Sequence, residues 1–253
     1  MANLVATESN NRVCLLDEDP DLGSGLTAED RDRARRFAVA EVVELQRGWH
    51  SLPDLGTSQL LGILVLDGLM MQTVGLAERQ SGAWVGPGDV LRPWDEFAHP
   101  VPHEVRWRVI SPVRVAMLDQ HVAFVCARWP VLINEVVRRA LGRAHLLAQV
   151  QAIRCLEHVE NRLLVLMWDL ADRFGRVTLQ GTIVPLKLTH DDLALLAGAT
   201  RPSVSMGLTR LARQGIVSRR PDRTWLLCGQ PPQALDDYRR RKRSQRPRAL
   251  GLT

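Results

Sequence analysis

Residues Leu186–Arg220 read LKLTHDDLALLAGATRPSVSMGLTRLARQGIVSRR. In Leu188-Thr189-His190 a hydroxyl stands just before Asp191 and Asp192, as at a helix start, where an oxygen caps free N–H groups and carboxylates meet the positive end of the dipole. Leu193, Leu196 and Ala197 then recur at helical spacing. Gly198 falls where that helix must stop and turn, because glycine takes positive φ without penalty. A second helix opens at Thr200-Arg201-Pro202, with Thr200 as cap and Pro202 in the first turn, where a missing N–H costs nothing. Val204, Leu208 and Leu211 form its buried stripe and leave Arg201, Ser203, Ser205, Met206, Thr209 and Arg210 outward. Gly215 ends it. Ile216-Val217 begins a strand, Arg219-Arg220-Pro221-Asp222-Arg223 turns, and Thr224–Leu227 returns. The spacing predicts a winged helix-turn-helix whose second helix, about 201–213, is sized for a DNA major groove. A hairpin that merely packs is the alternative, but such a helix shows larger apolar residues on its outer face.

The rest of the composition agrees with a two-part chain. Its 253 residues suffice for two domains with separate cores. No apolar run reaches the length of a membrane span, and MANLVATESNNRVC lacks the basic-then-apolar order of a signal peptide, so a cytoplasmic protein without membrane contact is expected. The net charge is +5, but from Lys187 onward 14 Lys/Arg stand against 5 Asp/Glu, a surplus of nine that leaves −4 for the first 186 residues. A basic part beside a mildly acidic part fits a DNA-binding domain joined to a sensing or assembly domain. Cys14, Cys126, Cys155 and Cys228 are scattered without a CxxC pair, so buried free thiols are expected rather than a zinc or iron–sulfur site.

Taken in order, residues 1–37 are polar, with an acidic patch at Asp17–Asp21 and a capped helical run, Thr27–Arg36. The first twenty or so are expected to be loosely ordered. Residues 38–128 alternate short apolar runs with turn signals. The runs are Ala38–Glu44, Leu60–Leu66, Met70–Ala77, Ala83–Val85, Val105–Val109 and Val113–Leu118. The signals are Gly48, Asp67-Gly68, Gly82, Gly86–Asp89 and Ser111-Pro112. This predicts an antiparallel β-roll or jelly roll. Pro130 opens a long helix, Val131 to about Leu156, within a segment 129–157. Ile133, Val137, Ala140, Ala144, Leu147 and Gln151 make a coiled-coil-like seam on it, and two alanines would let a second copy approach closely. A helix packed only on its own β-roll is the alternative. A further helix, Val159–Phe174, opens a domain placed at 158–230, with the boundary near Glu157 and Gly175–Pro185 as a strand-like connector. The tail, 231–253, holds the run Arg239–Arg243, either solvated or touching phosphates in a salt-dependent way.

These motifs resemble one family. LTHDDLALLAGATRPSVSMGLTRLARQGIVSRR is similar to the C-terminal domain of the cyclic-AMP receptor protein/fumarate–nitrate regulator (CRP/FNR) transcription factors. HVENRLLVLMWDLADRFG resembles the helix that opens that domain. LLGILVLDGLMMQTV and GPGDVL resemble, more briefly, a strand pair and a turn of cyclic-nucleotide-binding domains. The resemblance spans roughly residues 38–228 and implies an α+β chain: an N-terminal β-roll, a long dimerisation helix and a C-terminal winged helix-turn-helix. It places Arg201 on the family's base-contacting arginine and Ser203 on its phosphate-side hydroxyl. Pro202 and Met206 depart from the family's acidic residue and second arginine, which implies a different half-site. The effector cassette departs further: Arg92-Pro93 stands where the family's Gly-Glu holds the ribose, and His103-Glu104 where its Arg-Ser/Ala holds the cyclic phosphate. A carboxylate repels that phosphate and a proline removes a donor, so cyclic AMP in the usual pose is not expected. No cysteine cluster accompanies Cys14, which argues against an iron–sulfur sensor.

The expected function is that of a homodimeric, sequence-specific DNA-binding transcription regulator on a palindromic site, with no catalytic residue. Arg201 would read a base. Thr189, Thr200, Ser203, Ser205, Met206, Thr209, Arg210, Arg219, Arg220 and Arg223 would complete the interface. Arg92, Trp94, His103 and Glu104 are candidates for an unidentified small-molecule effector, with Arg92–Pro102 either a lid or a rigid loop. No cofactor or metal is expected, since His50, His99, His103 and His121 form no paired motif. RNA polymerase is the expected protein partner. The alternative is a cupin-like metal-dependent β-roll enzyme with an accessory helical domain, for which His99, His103 and Glu104 lack a companion on a distant strand.

Overall fold

The computed structural model describes residues 12–55, 60–94, 101 and 103–232. They fall in two compact units, Met1–Val150 and Gln151–Thr253. The first unit runs β1 (Arg12–Cys14), α1 (Leu15–Glu18), α2 (Ala28–Arg35), β2 (Val39–Leu45), β3 (Gly48–His50), β4 (Gly62–Leu76), β5 (Arg79–Val85), β6 (Val90–Leu91), β7 (Glu104–Leu118), α3 (Gln120–Arg128) and α4 (Pro130–Arg154), the last reaching into the second unit. The second holds α5 (Val159–Phe174), β8 (Arg176–Thr178), β9 (Gly181–Val184), α6 (His190–Ala197), α7 (Arg201–Arg213), β10 (Val217–Arg219) and β11 (Trp225–Leu227).

The first unit is the expected antiparallel β-roll. Its strands run β1-β2-β7-β4-β5, with β3 on β7 and β6 on β4. Because strand side chains alternate between faces, β4 and β7 feed two cores at once. Ile63, Val65, Val113, Val115 and Met117 enter the roll interior with Met70, Val85, Trp107 and Val109. Leu64, Ala116 and Leu118 face the opposite way, onto Leu15, Leu16, Leu22, Val122, Val125, Leu132 and Val136.

Four expectations are corrected here. Asp67-Gly68 and Ser111-Pro112 do not end strands. They face each other as irregularities inside the β4–β7 ladder, which runs from Gly62↔Leu118 to Gly75↔Glu104 with register shifts between Val65 and Met70. Gly68 has φ +90°, and a Cβ there would lie 2.1 Å from the Pro112 carbonyl oxygen, so only glycine lets the strands bend past each other. Gly48 and Gly82 likewise lie within β3 and β5 rather than in turns. The segment from Arg12 is ordered: β1 pairs with β2, Leu15 and Leu16 are buried, and Arg114 donates to both Glu18 oxygens at 2.9 and 3.0 Å. Helix α3 was not anticipated, although Asp119 accepts from Val122 N at 2.9 Å as its N-cap. Of the cysteines only Cys126 is buried, whereas Cys155, one residue beyond α4, is exposed and Cys14 and Cys228 are half-buried.

In the second unit the connector after α5 becomes β8 and β9, which join the wing in one antiparallel sheet of order β10-β11-β9-β8. Leu163, Leu166, Met167 and Leu170 of α5 are buried, as are Leu193 and Leu196 of α6, Val204, Leu208 and Leu211 of α7, and Trp225 and Leu227 of β11. A Cβ on Gly207 would sit 3.0 Å from Leu163, so glycine brings α7 close to α5.

Candidate nucleic-acid interface

The two helices of the motif are fixed by local chemistry. Thr189 and Asp192 form a reciprocal capping box at the start of α6: Asp192 N donates to Thr189 Oγ1 at 3.2 Å, and Thr189 N donates to Asp192 Oδ2 at 2.8 Å. Gly198 ends α6 in the left-handed region at φ 59°. Two arginines that the sequence reading missed hold this end. Arg154 donates to the Leu196 and Leu195 carbonyls at 3.2 and 3.1 Å, and Arg162 donates to the Gly198 carbonyl at 3.2 Å. Carbonyls at a helix end have no intrahelical donor, so these cations satisfy them where the dipole is negative. Burial lowers the Arg154 pKa from its ordinary value.

Helix α7 starts at the Thr200 cap, whose Oγ1 accepts from Ser203 N at 3.4 Å and lies 2.8 Å from Ser203 Oγ. Val204, Gly207, Leu208 and Leu211 bury one face. The other face carries Arg201, Met206 and Thr209, all exposed, with Ser203 and Ser205 half-buried. Arg201 is 3.6 Å from Asp191, both largely exposed. Thr209 Oγ1 donates to the Ser205 carbonyl at 2.9 Å, and Ser205 Oγ lies 2.8 Å from His190 Nδ1. Arg210 instead forms an ion pair with Glu160 of α5. The Glu160 carboxyl sits below its ordinary value, held there by its own backbone N–H and then by Arg210.

The wing turns through Arg220–Thr224. Arg223 N donates to the Arg220 carbonyl and Arg220 N to the Thr224 carbonyl, both at 2.9 Å, with Arg223 itself at φ 67°. Asp222 Oδ1 accepts from Thr224 Oγ1 at 2.6 Å and Thr224 N at 3.0 Å, bonds that pull its pKa down. Arg220 lies 3.4 Å from Asp222, and Arg219 stacks 5.5 Å from the Trp225 ring centroid. The structure therefore gathers Thr200, Arg201, Ser203, Ser205, Met206 and Thr209 around one helix, places Arg219, Arg220 and Arg223 on the wing, and gives Thr189 a capping role.

The effector candidates are more scattered. Arg92 donates to the Leu60 and Leu61 carbonyls at 2.5 and 3.1 Å and lies 5.9 Å from the Trp94 ring. His103 Nδ1 approaches the Val101 carbonyl at 3.3 Å, and Glu104 pairs with Arg106 at 2.6 Å on the surface. Deeper in the roll lies a group absent from the expectations. Arg143 of α4 is buried and donates to the Trp84 carbonyl at 2.5 Å and to Gln72 Oε1 at 3.1 Å, with Asp89 at 4.0 Å. On the expected seam of α4, Val137, Ala140, Ala144, Leu147 and Gln151 are exposed. Ile133 is not: it packs against the core below β4 and β7. Leu141, 61% exposed, takes its place in the row. His99, Phe97 and the basic run Arg239–Arg243 lie outside the described residues.

Comparison with known proteins agrees with this geometry. Residues 161–231 match the Crp-like helix-turn-helix domain. The fold is similar to that of a CooA mutant from Carboxydothermus hydrogenoformans, at 19% identity, TM-score 0.61, covering 92% of this chain and 97% of that one. It is also similar to FixK2 from Bradyrhizobium japonicum (16% identity, TM-score 0.57, 78% and 96% covered). A third similar structure is CLP from Xanthomonas campestris, described as a c-di-GMP-responsive global regulator (17% identity, TM-score 0.55, 76% and 95% covered). No curated protein matches. The C-terminal unit is a winged helix-turn-helix, and the N-terminal unit is an antiparallel β-roll. Residues 161–231 are thus a Crp-like helix-turn-helix domain, and the likeness of the whole chain to these solved structures is one of fold. A cupin-like enzyme finds no support, and among the described residues no three His, Cys, Asp or Glu side chains converge as metal ligands. Among them, too, no helix is long and apolar enough to cross a membrane.

Proposed function

We propose that the chain acts in the cytoplasm as a homodimer on a palindromic DNA site, with α7 in the major groove and the wing along the backbone. The observation that carries this reading is the division of α7: one face buried, the other presenting Arg201, Ser205, Met206 and Thr209 without an apolar patch to cover. Arg201 has the planar fork that reads guanine, and Met206 offers apolar surface suited to a thymine methyl. The exposed row Val137, Ala140, Leu141, Ala144, Leu147 and Gln151 supports pairing of two α4 helices. The domain division placed near Glu157 then separates pairing from reading. RNA polymerase is the fitting protein partner. On the tip of the β8–β9 hairpin, Val177 and Leu179 are exposed and offer it an apolar contact. Cyclic AMP in the usual pose is not the signal, since Arg92 is engaged with backbone carbonyls and Glu104 brings a negative charge.

The test is anisotropy of the ligand-free protein with labelled DNA from its own upstream region, beside Arg201→Ala. The substitution is expected to weaken the specific site by about 1–3 kcal/mol and relax selectivity at one position per half-site. Equal weakening on every sequence would remove Arg201 from base reading.

A further inference from the structure

His190 is the first residue of α6, yet its ring belongs to the surface shared by α7 and the wing. Nδ1 lies 2.8 Å from Ser205 Oγ on the outward side of α7. The ring centroid is 6.4 Å from that of Trp225, over which Arg219 is also stacked. Nε2 has no hydrogen-bond partner among the described residues. The charged groups that act on the imidazole come from each neighbouring element: Arg219 from β10, Arg201 from α7 and Asp191 from α6 itself. His190 is thus a histidine on which two exposed arginines, Arg201 of α7 and Arg219 of β10, both act.

We propose that His190 is a proton-coupled positioning residue of the DNA interface, taking up a proton from solvent when a backbone phosphate settles against its ring beside Ser205 and Arg219. The proposal rests on the DNA-binding reading above. In the free protein, partial burial and then the two arginines hold the imidazole pKa below its ordinary value, with Asp191 opposing them. A bound phosphate offsets those arginines and adds an acceptor for Nε2–H, both of which favour the imidazolium. Protonation also fixes a hydrogen-bond direction. Neutral imidazole can accept from the Ser205 hydroxyl through Nδ1, whereas the imidazolium has an N–H on both nitrogens and can only donate. Ser205 O–H is then released to donate outward, toward the DNA. One proton therefore supplies one more cation and one more donor to the same contact.

The sign follows from linkage. The bound state holds more protons at His190 than the free state, so affinity rises as pH falls through the bound-state pKa. A one-unit difference between bound and free pKa corresponds to about a tenfold gain in affinity.

The experiment measures anisotropy of the full chain with a labelled random-sequence duplex, at fixed salt, between about pH 5.5 and pH 8, the range in which a histidine titrates. A random duplex is the right probe because phosphate contacts do not depend on sequence. Wild type is expected to bind about tenfold more tightly at the acid end. His190→Gln, which keeps a neutral partner for Ser205, should lose most of the acid gain, so that its affinity varies far less than that of wild type across this pH range. His190→Arg should bind near pH 8 about as tightly as wild type does in acid. Melting curves of both variants are compared with wild type, so that loss of fold is told apart from loss of the proton link. A Gln variant with the full wild-type pH slope overturns the proposal while leaving DNA binding intact. Absence of binding at every pH, on this duplex and on the upstream DNA, overturns the DNA reading itself.

Discussion

In the N-terminal unit Arg139 and Arg143 reach inward, to Asp19 and Glu135 and to the Trp84 carbonyl, while half-buried Arg114 clasps both oxygens of Glu18 nearer the surface. In the C-terminal unit Arg201, Arg213, Arg219 and Arg223 lie on the surface, and the nearest approach of a carboxylate to Arg201 is 3.6 Å. An enclosed arginine fastens separate segments to one another and has little left to offer a partner. An exposed one can neutralise a phosphate, and the counterions that the duplex then releases favour binding. One side-chain type thus fastens the body of the roll and, later in the chain, supplies the exposed cations of the proposed recognition surface.

Three changes test how cleanly these roles separate. The largest effect is expected from Arg139→Ala. It leaves Asp19 and Glu135, both largely buried, without the guanidinium that joins α4 to the turn before α2, and should lower stability by about 3–5 kcal/mol. The salt dependence of DNA binding by the folded fraction should not change, and a reduced salt slope would blur the division. Arg219→Ala is the converse: melting should be nearly unaltered, DNA binding should weaken on all sequences alike, and the slope of log K against log salt should fall by about one. Smaller still is the effect of acid. Burial alone would raise the Glu135 pKa, but hydrogen bonds from Arg138 and Arg139 hold it below its ordinary value. Its contribution is therefore present above the unfolded carboxylate pKa and lost as pH falls through the folded one. Urea unfolding of Glu135→Gln should show a shallower loss of stability in acid than wild type, and an unchanged profile would assign the acid sensitivity to other groups.

The two units also differ in how far they could be read from sequence. The capping box at Thr189, the stop at Gly198 and the cap at Thr200 act within three or four residues, so their signals sit side by side in the chain. The roll was legible as alternation but not as connectivity. Gly68 and Pro112 meet across more than forty positions, and each looks locally like the end of a strand. Arg143 stands mid-helix with nothing in its neighbourhood to announce a buried charge, and Ile133 and Leu141 differ only in which side of α4 the roll covers. Arg210 lies exposed on the polar side of α7, and its pairing with Glu160, fifty residues earlier, is a contact that no local spacing announces. Helix α3 is the case where a local signal existed and was passed over: Asp119 followed by Val122, Val125 and Cys126.

The wing holds Arg223 at φ 67°, a region where a residue with a Cβ is strained and glycine is at ease. Such a placement costs about 1–2 kcal/mol. Glycine there would relieve that strain and leave the wing with one positive charge fewer. Where the wing follows the duplex backbone, as proposed, the tip of this domain trades endurance for contact, and hardening the protein against heat at this position is expected to weaken its hold on DNA.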